Sequence, residues 1–269
     1  MIEIAISIGV IGFALVAIIG ILPAGLNVQK GAGEDTTISQ DAPFFMESIR
    51  NGGTNTPFNS QTNFLTGLNF LTNYVESITI ASFNNNAWTT NLYTNVSGTA
   101  YSLVNGRIIL GLLSTPEFYP NQEVNGGWVP GPVTNIVTAR VRALSGSAIE
   151  QNGANSITAF RYLMNVEIAP FSSFAPDSIN YAAYGGGALG TNDPNYVIRF
   201  NRWRAAEVMQ FNLFELRLRF SWPVLPNGNA GPNHQSYRTL IAGHLLSVPN
   251  AGFANPLNFF QPQWYFNTP

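Results

Sequence analysis

The chain has no cysteine and a single lysine, Lys30. Without thiols, disulfides and thiolate metal sites are excluded. Charge of either sign is scarce: Asp, Glu, Lys and Arg make up 10% of the 269 residues, against roughly a quarter in an ordinary soluble domain. The net charge of −2 at pH 7 gives no general attraction to nucleic acid, so no such partner is expected. Histidine occurs only at His234 and His244, with no HExxH spacing around either, and no metal site is expected from them. Asp177 and Asp193 sit alone in loop-like stretches, whereas a calcium site takes six to eight oxygens together. Ser145-Gly146-Ser147 lacks the flanks of a nucleophile elbow. The glycine-rich run Tyr181–Gly190 lacks the strand-to-helix setting of a phosphate loop. No catalytic residue, cofactor or metal is therefore expected, and the chain does not read as an enzyme.

What the sequence does have is a greasy start. Ile4 to Leu22 are nineteen consecutive residues without a charge, long enough to cross a hydrocarbon core of about 30 Å as a helix. No Lys or Arg precedes Lys30, so the basic opening of a secretory signal is missing. Instead the stretch carries an acid, Glu3. A carboxylate in a bilayer costs about 2.5–3.5 kcal/mol on insertion scales and usually has a partner. The nearest unused cation is the α-amino group of a chain start, here at Met1, supplied by a neighbouring copy. Staggered packing of identical helices would pair the two, and the small residues Gly9, Gly12 and Gly20 would permit close approach. Pro23 is expected to kink or locally melt the helix.

An acid near the start of a long apolar helix, with Ala5, Ser7, Gly9, Gly12 and then Pro23, resembles the mature type IV pilins and type II secretion pseudopilins. In that family the Glu is the fifth residue, after a methylated Phe; here Glu3 is third and Met1 leads. The segments IGFALVAIIGILPAGLN, RLRFSWPVLPNG and YRTLIAG also resemble pseudopilin-like proteins of Verrucomicrobia. The resemblance implies a pilin-like α+β fold, with a long N-terminal hydrophobic helix and a large, mostly antiparallel β head. It implies a structural subunit of an extracellular type IV pilus-like filament on the cell surface, anchored in the inner membrane before assembly. The implied partners are identical subunits and a pilus or secretion assembly machinery. A minor pseudopilin of a secretion system, or a membrane-anchored extracellular binding protein, is the alternative.

The expected division is a helical region over 1–50 and a β-rich head over 51–269. Within the first, the helix is expected to break at Gly31-Ala-Gly33 and to resume over Pro43–Arg50. Residues 51–63 read as a loop. Short β-branched and aromatic runs then predict strands at Ser77–Phe83, Ala87–Thr94, Tyr101–Val104 and Arg107–Leu112, the last two joined by a tight Asn105-Gly106 turn. Further strands are expected in Val133–Leu144, Ser156–Ile168, Val208–Trp222 and Ser236–Leu246, the last pair across a ten-residue loop. Arg199, Arg202 and Arg204 form a basic cluster. Arg217 and Arg219, with Glu207 and Glu215 interleaved, suggest ion pairs rather than a DNA-binding patch. The tail aromatics Phe259, Phe260, Trp264, Tyr265 and Phe266 could meet sugars, but packing against the sheet is the commoner use of such residues. Asn95-Val96-Ser97 matches a glycosylation acceptor, a short pattern common by chance.

Overall fold

A computed structural model describes residues 2–52, 68–84, 86–95, 101–118, 122–124, 127–129, 134–145, 160–171, 205, 208–209, 211–249, 253–262 and 265. Ile2–Asn51 form one uninterrupted α-helix, α1, with Pro23 and Pro43 inside it. At 1.5 Å per residue it is about 75 Å long. The expected break at Gly31-Ala-Gly33 is therefore wrong, and no melted turn follows Pro23. Glycine in a helix costs about 1 kcal/mol relative to alanine, which lowers stability without ending the helix. Docking of the following turns supplies far more: Ile38, Ala42, Phe45 and Ile49 are fully buried, and their spacing of four, three and four puts them on one face.

That face lies on a six-stranded sheet, antiparallel throughout, built from β1 (Val75–Asn84), β2 (Ala87–Thr94), β5 (Thr134–Arg142), β6 (Arg161–Pro170), β7 (Leu213–Val224) and β8 (Ala230–Ala242). The strand order is β2-β1-β5-β6-β7-β8. Strands alternate as a half-buried sheet should. Val137, Ala139 and Val141, then Tyr162, Met164, Val166 and Ile168, then Phe214, Leu216, Leu218 and Phe220 all turn inward. A 3₁₀ turn at Asn69–Asn73, a short helix α2 (Gly106–Leu113) and a hairpin of β9 (His244–Val248) and β10 (Leu257–Gln261) fill the same side. The remaining pair, β3 (Gln122–Val124) and β4 (Gly127–Val129), forms a separate two-stranded ladder. The long helix and the large antiparallel sheet agree with the expected α+β layout.

Several local expectations are corrected. Gly106–Leu113 is a helix, not a strand after a tight turn: Asn105 is extended, and its Oδ1 accepts the Ile108 N–H at 2.9 Å as an N-cap. Among the described residues Tyr101–Val104 pairs only at an isolated bridge from Ser102 to Thr94. β7 begins at Leu213, five residues later than expected. The β7–β8 connection is a tight turn closed by Gly228 N–H donating to Leu225 O at 2.8 Å, not a ten-residue loop. Gly228 has φ of +84°, a conformation that suits glycine. Most of the 51–63 stretch, residues 156–159, and the Tyr181–Gly190 run lie outside the described residues.

Candidate functional site: the apolar rod and its junction with the head

Among the described residues, the first half of α1 buries none of its large apolar side chains. Fifteen large apolar side chains between Ile2 and Val28 are exposed, from Ile2 at 76% to Val28 at 73%. A Cβ added at Gly9, Gly12 or Gly20 would meet no atom within 4 Å. Glu3 lies in the first turn, where its backbone carbonyl accepts the Ser7 hydroxyl at 2.8 Å. Met1 lies outside the described residues. Pro23 is helical and exposed. The helix is long and apolar enough to cross a membrane by length and composition. Burying one such side chain is worth about 1.5–3 kcal/mol. Leaving fifteen in water costs on the order of 20 kcal/mol or more, beyond the 5–15 kcal/mol that holds a domain folded. This half of the helix must be covered by lipid or by other apolar surface.

The apolar rod gives way to the docked half through Lys30 and Glu34, 3.9 Å apart. Two turns further, Asp41 is buried between helix and sheet. Its Oδ2 accepts the Tyr162 hydroxyl at 2.9 Å and the Leu144 N–H at 2.9 Å, and its Oδ1 accepts the Ser145 hydroxyl at 2.7 Å. Burial pushes its pKa up, and these donors offset that only in part. Burial, with the Asp41 charge beside it, likewise raises the Tyr162 phenol well above its ordinary value. Around them, Tyr162 and Tyr237 both meet Phe220 edge-on, at 5.4 and 5.8 Å, and Tyr237 donates to Ser39 Oγ at 3.2 Å. A polar pin inside an aromatic cluster thus fixes where the rod leaves the head.

On the opposite face of the sheet a second carboxylate gathers three arginines. Glu76, displaced by a bulge between Val75 and Ser77, lies 2.6 Å from Arg142 Nε, 2.7 Å from Arg161 Nε and 3.0 Å from Arg140 Nε. Burial pushes the Glu76 pKa up, but the bonds and charges of Arg161 and Arg142 outweigh this and hold it below the usual glutamate range. Further along that face Arg217 meets Glu215 at 2.6 Å and Glu167 at 3.9 Å, the ion pairing expected there.

The other sequence candidates do not converge. His234 is exposed on β8, and His244 starts β9 half-buried, with burial lowering its pKa. Among the described residues no group of three or more His, Cys, Asp or Glu could hold a metal. Phe259 and Phe260 are buried in β10, whereas Tyr265 is exposed. Asp177, Asp193, Arg199, Arg202, Arg204, Glu207, Trp264 and Phe266 lie outside the described residues, as do Val96 and Ser97 of the acceptor motif. Sequence reading missed Asp41 and Glu76. Asp41 could have been found, because it lies on the Ile38-Ala42-Phe45-Ile49 face. Glu76 could not, because its arginines come from two other strands. No protein-family model, no curated protein and no solved structure matches the chain.

Proposed function

We propose that the chain is a pilin-like structural subunit that polymerises through the first half of α1 into an extracellular filament, after residing in the inner membrane by that same segment. The observation that carries this reading is the division of one continuous helix: every described large apolar residue from Ile2 to Val28 is exposed, while Ile38, Ala42, Phe45 and Ile49 are buried. A lone anchor needs the rod to be apolar but has no use for Glu3 within it. In a packed core of staggered rods, Glu3 of one subunit meets the terminal amine of the next, which offsets the desolvation of both and fixes the register. Identical subunits are the main partners, with an assembly machinery to extract them from the membrane.

Electron microscopy of surface material from cells expressing Glu3→Ala or Glu3→Gln tests the reading. Both variants should retain export and a folded head while filaments become rare. Normal filaments with the normal rise from Glu3→Ala would remove the bridge. A complete absence of filaments from the wild type would favour the anchored binding protein.

A further inference from the structure

The two edges of the six-stranded sheet are unlike. β8 carries Pro232, His234 and Arg238, residues that discourage pairing with another strand. β2, AWTTNLYT, has neither charge nor proline. Thr94 at its end directs its backbone away from β1: its N–H donates to Tyr101 O, and its carbonyl accepts the Leu103 N–H. In an antiparallel ladder alternate residues point their backbone groups to the same side. Trp88, Thr90 and Leu92 therefore also aim theirs at the open edge, where no described residue meets them. Their side chains share the outer face, with Trp88 55% and Leu92 54% exposed.

We propose that this edge pairs with the β2 edge of a second copy of the chain, antiparallel and centred on Thr90. The register is self-complementary. With Thr90 opposite Thr90, each Trp88 falls opposite a Leu92, and three hydrogen-bonded residue pairs form, with about six backbone hydrogen bonds. Aromatic–aliphatic and Thr–Thr pairs are favourable across strands, and an uncharged strand sets no like charges against each other. The open window ends where the Tyr101–Leu103 segment covers Thr94, so the partner strand fits over Trp88–Leu92 and no further.

The symmetry has a consequence for the rods. The two-fold axis of such a pair stands normal to the sheet, so directions within the sheet plane are reversed between copies. α1 lies along the inner face, and the two rods point opposite ways. A pair of this kind cannot sit within one polar filament. If the filament reading above holds, the contact joins filaments of opposite polarity; the pairing itself does not depend on that reading.

The test uses the full chain in detergent micelles, which cover the rod, followed by sedimentation velocity. Wild type should self-associate with increasing concentration. Thr90→Lys, which opposes two ammonium groups at the centre, should weaken association at least tenfold, as should Thr90→Glu. An equimolar mixture of the two should restore it. Thr90→Pro removes only the outward N–H, is tolerated at an open edge, and should weaken pairing without a change in thermal midpoint. Leu240→Lys on β8 should leave pairing intact. Wild type that stays single at all concentrations overturns the proposal. So does a Lys–Glu mixture that fails to associate, or a Leu240→Lys defect equal to that of Thr90→Lys.

Discussion

The two halves of α1 share one backbone and obey opposite rules. The first half is apolar on every side, and among the described residues it buries none of its large apolar side chains. The second half is mostly polar, yet its single apolar face is fully buried against the sheet. Folding of the head therefore draws on the half with fewer apolar residues. Hydrophobic content marks the surface that must find an outside partner, whereas hydrophobic periodicity marks the surface that finds an inside one.

The strongest challenge to this division is a matched pair of truncations. Phe45→Ala should destabilise the head by about 3–5 kcal/mol, whereas Phe13→Ala should change head stability by less than about 0.5 kcal/mol. Denaturant unfolding in detergent, followed by tryptophan fluorescence, checks both. Equal losses would mean that the first half packs on the head after all.

Glycines sharpen the contrast. A Cβ at Gly106 would lie 2.3 Å from Leu68 O, a backbone atom, so Gly106→Ala should cost about 1–3 kcal/mol. Among the described residues, a Cβ at Gly9 or Gly12 meets no atom within 4 Å, so Gly9→Ala and Gly12→Ala should leave head stability unchanged. Any effect they have should instead appear in filament assembly, because close helix approach is what small residues permit.

The two carboxylates, Asp41 buried and Glu76 part-buried, should answer pH with opposite signs. The Asp41 pKa is raised by burial, so the folded state holds that proton more tightly than the unfolded chain does. Its contribution is fullest below the ordinary aspartate value and is lost as pH rises through the raised one. Glu76 is lowered on balance by Arg161 and Arg142, against the pull of burial. Its contribution is present above the ordinary glutamate value and is lost as pH falls through the lowered one. Thermal midpoints between pH 3 and 7 should show Asp41→Asn removing a decline with rising pH, and Glu76→Gln removing a decline with falling pH. At neutral pH Glu76→Gln should cost roughly 1–3 kcal/mol by leaving charged donors without their acceptor. A like-signed response from both variants would contradict these environments.

The smallest effect belongs to the boundary itself. Lys30 and Glu34 form an i,i+4 pair at 3.9 Å with the lysine well exposed, worth about 0.2–0.5 kcal/mol. Lys30→Ala should shift the unfolding midpoint barely measurably at low salt and not at all at high salt.

Much of the fold was legible wherever a local pattern decided it. The alternation in Val133–Leu144 and in LFELRLRFSW (Leu213–Trp222) marks strands whose inward residues are those of the observed core. Legibility failed where two readings share one pattern. GRIILGLL is apolar almost throughout, and its periodicity cannot separate a buried strand from a buried helix. Asn105-Gly106 suits a tight turn, yet here Asn105 caps a helix. Gly31-Ala-Gly33 looks like a break, but the docking of Ile38 through Ile49 carries the helix through it.

By itself, the sequence determined that residues 2–28 form an apolar rod too long and too greasy to remain in water, because length and composition alone set the cost of exposing it. It also determined which strand residues turn inward, because a two-residue alternation is a local property. Only the tertiary structure decided that Asp41 is enclosed by Ser145 and Tyr162, that Glu76 meets three arginines from other strands, and that β2 rather than β8 presents the uncharged edge. Those outcomes depend on which distant segments become neighbours. Strand order is fixed by the packing of the whole core, not by any stretch read alone.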